Sequence, residues 1–288
     1  MKVTFVIVYS SLNTPTKLYD NDLEVTSVIN QHTVNLLNQF EDIKIDKEII
    51  LVDNTGDFGD FRVPNMKVIT GPQYYLERGL EVPYEWYTKE NIKDLYISTH
   101  NHNHAAFCSM GFQAGVEEAT GDYIIMQHND TKYLFDHYSG DTVIQDSITL
   151  LEDNDYAYIT VDKKPRKETE PLAAENVPHI EYFADCYWFL CRRDFYSENN
   201  IHVDWTRGDT NHLATIICEQ TNQKYLHLPG YYEVKEFRDP EWRENLQKKY
   251  PSLLAHGQNI HTLYNIPFLA HVKGGTGLGR KIIKSTIW

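Results

Sequence analysis

Runs of apolar residues alternate along the first half of the chain with segments of helical periodicity. Residues 2–10 (KVTFVIVYS) are apolar and β-branched almost throughout, which is typical of a strand buried on both faces. Residues 48–52 and 65–71 predict two more short strands, and apolar residues at helical spacing predict a helix within 20–40. This strand–helix–strand order predicts parallel strands joined by crossover helices.

The same pattern continues through the rest of the chain in a less regular form. Small residues recur within 105–119 and predict a helix that packs closely on a sheet, and a central strand follows at 123–127. Further helices are predicted at 141–154 and 208–223 and a charged surface loop at 164–178, and further strands lie within 94–98, 156–164, 181–195 and 224–237. The fold class is therefore α/β, with a mostly parallel, Rossmann-like central sheet flanked by helices.

Charge and cysteine usage narrow the class of protein. The 288-residue chain has a formal net charge of −14, which repels phosphate backbones and argues against nucleic-acid binding. No apolar run is long enough to span a bilayer, and the apolar run at the N-terminus lacks a signal-peptide cleavage site. The four cysteines show neither zinc-site nor disulfide spacing, which favours a reducing, cytoplasmic location.

A cluster of polar residues follows the strand at 123–127. His128, Asn129 and Asp130 stand where ligands bind in open α/β sheets, at the carboxyl end of a parallel strand. Residues two apart in an extended chain face the same way, so His128 and Asp130 are expected to point together. The plainer alternative is a polar turn with no chemical role.

Four segments, in this order and spacing, resemble family 2 glycosyltransferases of the GT-A fold. They are the first strand, EIILVDNTGDFGD (48–60), GVEEATGDYIIMQHNDT (115–131) and WFLCRRDF (188–195). The resemblance covers the first 135 residues well and the next 100 loosely. The acidic DXD motif of that family has an aspartate at each end, whereas this chain has His128-Asn129-Asp130, so only the second carboxylate remains.

The resemblance implies an organisation and a reaction. Residues 1–135 would bind a nucleotide-diphosphate sugar, with UDP as the default nucleotide, and residues 136–265 would form a smaller mixed region for a saccharide or glycoconjugate acceptor. Residues 266–288 would form a glycine-rich, basic tail, either a lid over the diphosphate or a mobile terminus. The implied activity is metal-dependent transfer of a hexose-type sugar to an acceptor hydroxyl, with inversion of configuration at the transferred sugar.

The resemblance also implies a metal and nucleotide site. Asp130 would bind Mn²⁺ or Mg²⁺, with His128 as a second ligand or a donor to the diphosphate, and His271 would complete the metal shell. The remaining nucleotide contacts would come from Ser10, Asp53, Lys273 and Arg280. Asp53 would recognise the base, and the side chains of Lys273 and Arg280 would contact the phosphates. For Asp53, a turn-capping role is an equal alternative.

The catalytic base is expected in the second half of the chain. RGDTNHLATII (207–217) places Asp209 before a predicted helix, where a carboxylate could deprotonate the acceptor hydroxyl or cap the helix. Asp185 and Asp204 are weaker candidates. Tyr187, Trp188 and Trp205 are candidate stacking surfaces for the acceptor.

Three other interpretations remain open at this point. The incomplete acidic motif allows a catalytically silent protein that binds a glycan or a partner on the same scaffold. A nucleotidyltransferase is possible from the sheet, but VIVYSSLNTPT (6–16) lacks its glycine-rich basic signature. HNHNH (100–104) offers alternating imidazoles for zinc, although its place at a strand–helix junction favours a pocket edge.

Overall fold

The computed structural model defines thirteen strands among the residues it describes, together with helices and a 3₁₀ turn. It describes residues 1–9, 22–54, 56, 58–71, 74, 77–78, 111–161, 163–165, 182–184, 187–199, 201, 210–231, 248 and 259–271. The strands are β1 Val3–Tyr9, β2 Lys47–Asp53, β3 Met66–Thr70, β4 Tyr123–His128, β5 Thr131–Tyr133, β6 Tyr156–Thr160, β7 Lys163–Pro165, β8 Tyr182–Ala184, β9 Trp188–Arg192, β10 Lys224–His227, β11 Gly230–Tyr231, β12 Asn259–Leu263 and β13 Ile266–His271. The helices are α1 Asp22–Gln39, α2 at 111–117, α3 Gly140–Asp153, α4 Arg193–Glu198 and α5 Thr210–Thr221, and a 3₁₀ turn, Phe40–Asp42, follows α1.

Seven strands form the main sheet in the order β10-β6-β9-β4-β1-β2-β3. The four strands from β4 to β3 are mutually parallel, and β6 pairs in parallel with β10. Only β9 runs against its two neighbours, β4 and β6. The predicted fold class, an α/β protein with a mostly parallel central sheet flanked by helices, is therefore confirmed.

A smaller sheet packs at the carboxyl end of β4. Its order is β11-β12-β13-β5, and all of its pairs are antiparallel. The chain passes directly from β4 through a two-residue turn into β5, so this turn joins the two sheets. The first six residues of the predicted tail, Ile266–His271, form the buried strand β13, and 272–288 lie outside the described residues.

Strand β1 is buried on both faces, as its almost entirely apolar sequence predicted. All seven of its residues are buried. Phe5, Ile7 and Tyr9 face one apolar cluster, which includes the side chains of α3, whereas Val6 and Val8 face the other, which includes α2. Because both faces of the strand are covered by helices, no polar alternation appears in its sequence.

Two expected strands differ in detail from what is observed. The strand predicted at 156–164 is two strands, β6 and β7, and the strand predicted at 181–195 is divided into β8 and β9. Helix α4 then begins at Arg193, whose N–H donates to the carbonyl of Asp122. The predicted strand at 94–98 lies outside the described residues, and no described helix is long and apolar enough to cross a membrane.

Helix α2 lies unusually close to β1 because glycines face the strand. A Cβ atom added to Gly115 would overlap Cγ1 of Val6, and one added to Gly111 would lie 2.8 Å from both γ-carbons of Val8. Only residues without a side chain allow this approach. The close packing that the small residues of 105–119 predicted is confirmed for the described part of the helix.

Replacing Gly115 by alanine is expected to lower the free energy of unfolding by about 1–3 kcal/mol, because the methyl group overpacks against Val6. Urea denaturation at neutral pH measures the loss. Removing the opposing atoms with Val6→Ala provides the control, since the double variant should be less destabilised than the sum of the single ones. Strict additivity would show that the two side chains do not compete for this space.

Glu48 joins three elements at the amino end of the parallel sheet. From β2 its carboxylate accepts hydrogen bonds from Thr4 Oγ1 on β1 (2.5 Å) and from the N–H groups of Thr120 (2.5 Å) and Gly121 (3.1 Å) before β4. Lys2 Nζ lies 3.0 Å from the same carboxylate. Burial alone would raise the pKa of Glu48, but these donors more than offset it and lower the pKa from 4.5 to about 2.

Glu48→Gln is expected to lower stability by about 2–3 kcal/mol at pH 7, since one pKa unit corresponds to about 1.4 kcal/mol. The folded-state pKa lies below the unfolded one, so this stabilisation is present above pH 4.5 and is lost as the pH falls towards 2. Denaturant unfolding of both proteins from pH 7 to pH 2.5 should show the difference shrinking. Glu152→Gln, on an exposed carboxylate that accepts from Tyr123, is the matched control and should change stability by less than about 0.5 kcal/mol.

Candidate functional site

The polar turn after β4 is held in place from several sides. His128 is the last residue of β4, and its N–H donates to the carbonyl of Tyr187 (3.3 Å). Asn129 Nδ2 donates to Thr33 Oγ1 on α1 (3.0 Å). Asp130 follows, and Thr131 begins β5. The turn therefore has a fixed position between α1, β9 and the smaller sheet.

A buried hydrogen-bond network lies directly beneath this turn. Thr131 Oγ1 donates to the carbonyl of His128 (2.7 Å) and accepts from Gln127 Nε2 (2.7 Å). The Tyr133 hydroxyl donates to Gln127 Oε1 (2.8 Å) and accepts from Trp188 Nε1 (3.0 Å). Each of these polar groups is buried and paired, so the network fixes the turn in one conformation.

Strand register brings His271 to the same place from the far end of the described chain. Its backbone pairs with Thr131, the residue after Asp130, where β13 meets β5. His271 Nε2 lies 3.5 Å from Asp130 Oδ1, and His128 Nδ1 lies 3.8 Å from the same oxygen. One ligand atom from each of the three side chains lies within 4.8 Å of the other two. All three predicted metal ligands are therefore neighbours.

Aromatic rings hold the two imidazoles. The ring of Tyr187 packs against His271 with 3.7 Å between centroids and meets His128 edge-on at 4.7 Å. Phe112, on α2, stacks on His128 with 5.9 Å between the ring centroids. This packing restricts the rings and keeps a nitrogen of each close to the carboxylate of Asp130.

Asp130 is an anion among imidazoles. Burial alone would raise its pKa, but His271, then His128 and His32, more than offset burial and lower the pKa to about 2. Burial lowers the pKa of His32, with Asp130 opposing it. Burial and the charge of His271 lower the pKa of His261 to about 3, although a backbone contact opposes them. At neutral pH the carboxylate is ionised, and His32 and His261 are uncharged.

The three residues fit a divalent cation. His271 is fully buried; its Nε2 lies 3.5 Å from Asp130 Oδ1, at the outer limit of a hydrogen bond, and its Nδ1 has no hydrogen-bond partner among the described residues. Buried polar atoms are normally well paired, so these weakly paired atoms beside a third ligand atom from His128 are consistent with a bound cation. Two imidazoles and a carboxylate are a common donor set for such ions, with open positions left for water or substrate.

Asp53 lies at the same edge of the sheet. Tyr9 separates it from the turn, since β1 pairs with β2 at Tyr9–Asp53 and with β4 at Val8–His128. Two strand spacings put Asp53 about 10 Å from the start of the turn. Its carboxylate accepts from the N–H groups of Gly56 (2.8 Å) and Phe58 (2.9 Å) and is 4% exposed. The described contacts are those of a turn-capping residue, and recognition of a nucleotide base stays a prediction.

The other predicted positions divide into two groups. The prediction that Trp188 is a stacking surface for the acceptor is wrong. Its side chain is fully buried, and its indole N–H donates to the Tyr133 hydroxyl. Tyr187 does lie beside the three candidate ligands. Outside the described residues are Ser10, Asp185, Asp204, Trp205, Asp209, Lys273, Arg280 and the HNHNH segment.

Sequence reasoning missed the supporting network. Gln127 is a fully buried amide in an otherwise apolar strand, and Thr131 and Tyr133 alternate onto one face of β5. An amide in the centre of a sheet requires partners, and this was the signal available in the sequence. His32 was also missed, because a single histidine in an amphipathic helix looks like an ordinary half-buried residue.

Tyr133→Phe is expected to lower stability by about 1–3 kcal/mol, since Gln127 and Trp188 each lose a buried partner. If the network positions the metal ligands, the variant should also show a smaller rise in melting temperature on adding a divalent metal. Tyr158→Phe is the matched control, because its hydroxyl pairs with Thr215 in the other core cluster. It should lose similar stability and keep the full metal response; equal metal responses in both variants would contradict the positioning role.

No protein-family model matches the chain, and no curated protein matches it in sequence. Solved structures do match. TarS 1–349 from S. aureus is 11% identical, with a TM-score of 0.43; the match covers 78% of this chain but only 58% of that one. The match to glucosyl-3-phosphoglycerate synthase from Mycobacterium tuberculosis, in complex with phosphoglyceric acid, has 10% identity, covers 78% and 69% of the two chains, and has a TM-score of 0.41.

A mannosyltransferase from Pyrobaculum calidifontis, in complex with GDP-mannose and Mn²⁺, is 14% identical over 79% of this chain and 54% of its own, with a TM-score of 0.36. One of the three is named as a mannosyltransferase and one as a glucosyl-3-phosphoglycerate synthase, and all three TM-scores are below 0.5. At these identities the likeness concerns the fold alone, and the donor and acceptor of each enzyme are its own.

Proposed function

We propose that this protein is a metal-dependent glycosyltransferase that moves a sugar from a nucleotide-diphosphate sugar to an acceptor hydroxyl, with UDP as the default nucleotide. The observation that carries the proposal is the meeting of His128, Asp130 and His271 at the carboxyl end of the parallel strands. This is the edge at which α/β sheets bind their ligands. The sequence resemblance implies that the diphosphate of a sugar donor would lie at the same edge.

Each described residue has a defined task in this proposal. Asp130, His128 and His271 hold a divalent cation, which when bound would neutralise the charge that develops on the departing diphosphate. Tyr187 and Phe112 keep the imidazoles in place. Asp53 holds the backbone N–H groups of Gly56 and Phe58, next to which the base would lie. The cytoplasmic location belongs to the same proposal, with Cys191 and Cys218 free and buried.

Binding and turnover test the proposal together. The purified chain is mixed with Mn²⁺ and a panel of UDP- and GDP-sugars, with and without simple saccharide acceptors. Melting temperature reports binding, and release of the nucleoside diphosphate reports turnover. We expect one nucleotide to raise the melting temperature only in the presence of metal, and one of its sugars to be turned over. A failure of all nucleotides to bind would overturn the proposal.

A catalytically silent binding protein is the second candidate, and the replacement of the first acidic residue of the motif by His128 favours it. Such a protein would keep the fold and bind a saccharide or a partner. It would give a metal-independent shift with free glycans and release no nucleotide from any donor. Metal-dependent nucleotide binding with sugar release excludes this candidate.

A further inference from the structure

Two of the three candidate metal ligands are nitrogen donors, whereas hard cations such as Mg²⁺ are usually bound by oxygen. Asp130 is the only carboxylate among them, and the other two ligand atoms belong to imidazoles. Mg²⁺ and Ca²⁺ prefer oxygen ligands, and Mg²⁺ gives up its water reluctantly. Imidazole suits first-row transition metals much better. The composition of the site therefore bears on which ion it accepts.

The imidazoles are built into the site rather than exposed beside it. His271 is fully buried on β13; its Nε2 lies 3.5 Å from Asp130 Oδ1, and its Nδ1 has no hydrogen-bond partner among the described residues. His128 contacts the rings of Phe112 and Tyr187. A buried imidazole with incomplete hydrogen bonding is costly, and a bond from its nitrogen to a metal ion reduces that cost.

The spacing also suits one small ion. Ligand atoms at about 2.0–2.2 Å from a shared ion are separated by roughly 3–4.4 Å. The two histidine–carboxylate distances are 3.5 and 3.8 Å, within that range. The three side chains provide three ligand atoms, which leaves open positions for oxygens of water or a diphosphate.

We propose that this site selects first-row transition-metal dications such as Mn²⁺, Co²⁺ and Zn²⁺ over Mg²⁺ and Ca²⁺, with His128 as the residue that determines the selectivity. The inference rests on the proposed function only in that the same three residues bind the metal. His128 stands where a second carboxylate would give an oxygen-rich site. An imidazole at this position weakens the binding of Mg²⁺ and strengthens the binding of ions that accept nitrogen ligands.

The test uses the full chain, stripped of metal with a chelator, and each metal ion alone. Calorimetric titration and melting temperature report affinity, and the visible absorption of bound Co²⁺ reports nitrogen ligation. We expect Co²⁺ and Zn²⁺ to bind at least 100-fold more tightly than Mg²⁺ and Ca²⁺. Wild-type protein that binds Mg²⁺ as tightly as Co²⁺, or that binds no metal, overturns the inference.

Variants assign the selectivity to His128. His128→Asp should bind Mg²⁺ more tightly and Co²⁺ at least tenfold less tightly, whereas His271→Ala should lose affinity for every transition metal. His137→Gln, outside the three-residue group, is the control and should match the wild type. Circular dichroism confirms that each variant is folded. An unchanged Co²⁺/Mg²⁺ ratio in folded His128→Asp overturns the role of His128.

The metal titrations test the selectivity, and the sugar-transfer assays test the proposed function, so either hypothesis can be contradicted without the other. Selective metal binding without release of any nucleotide would uphold the inference and contradict the proposed function. Efficient sugar transfer supported by Mg²⁺ alone would contradict the selectivity and uphold the transfer reaction.

Discussion

Asp130→Asn is expected to abolish the metal-dependent rise in melting temperature and to reduce sugar transfer by about 1,000-fold. The carboxylate is the only anionic ligand in the group, and it lies within 4 Å of a nitrogen of both His128 and His271. A bound cation is worth several kcal/mol of charge stabilisation in a transition state, and each 1.4 kcal/mol is a factor of ten in rate. Asparagine keeps the shape of the side chain and removes the charge.

The control for this variant is Asp136→Asn, which removes an exposed carboxylate a few residues along the chain. It should leave both the metal response and turnover unchanged. Calorimetric titration with Mn²⁺ measures the first quantity, and nucleotide release measures the second. An Asp130→Asn protein that binds Mn²⁺ with wild-type affinity would remove the metal from the proposed mechanism.

Loss of turnover with wild-type metal binding would have a different meaning. Asp130 would then act on the substrate directly, and His128 and His271 would need another explanation. Among the described residues, Nδ1 of buried His271 has no hydrogen-bond partner, so that explanation would have to supply one from outside them.

Local pattern was enough to predict the central sheet. Strand β1 is apolar at nearly every position because both of its faces are buried, and this is a property of the sequence itself. The glycines of α2 likewise predicted that this helix packs closely on the sheet. The polar turn after β4 was predicted because a sudden change from apolar to polar residues marks the end of a buried strand.

The assembly of the site depended on strand pairing, which a single sequence does not encode locally. His271 meets Asp130 because β13 pairs with β5, two strands far apart along the chain. Nothing near either residue specifies that register. The resemblance to glycosyltransferases predicted that His271 would join Asp130 as a metal ligand, and residue patterns alone would not have predicted this.

Trp188 shows the opposite limit. An aromatic run such as Tyr187–Trp188 predicts buried and exposed rings equally well. Strand β9 lies between β4 and β6, so Trp188 points into the core, and Tyr133 accepts its indole N–H. The partner that makes burial of the indole favourable belongs to another sheet, and its position follows from the tertiary fold.

Asp209 is expected to have two separable roles, although it lies outside the described residues. Helix α5 begins at Thr210, so Asp209 is the residue that precedes it in sequence. Aspartate and asparagine are equally good at capping a helix, whereas only aspartate can accept a proton from an acceptor hydroxyl. Two substitutions therefore distinguish the capping role from the catalytic one.

Asp209→Asn should lower kcat by about 10²- to 10⁴-fold, as expected when a general base is removed, and leave stability unchanged. Asp209→Ala should show the same loss of turnover together with a loss of stability of about 1 kcal/mol, because the cap is also removed. Both variants should keep metal-dependent binding of the nucleotide, unlike Asp130→Asn. Steady-state kinetics and urea denaturation measure the two effects, and normal turnover in Asp209→Asn would leave the residue with the capping role alone.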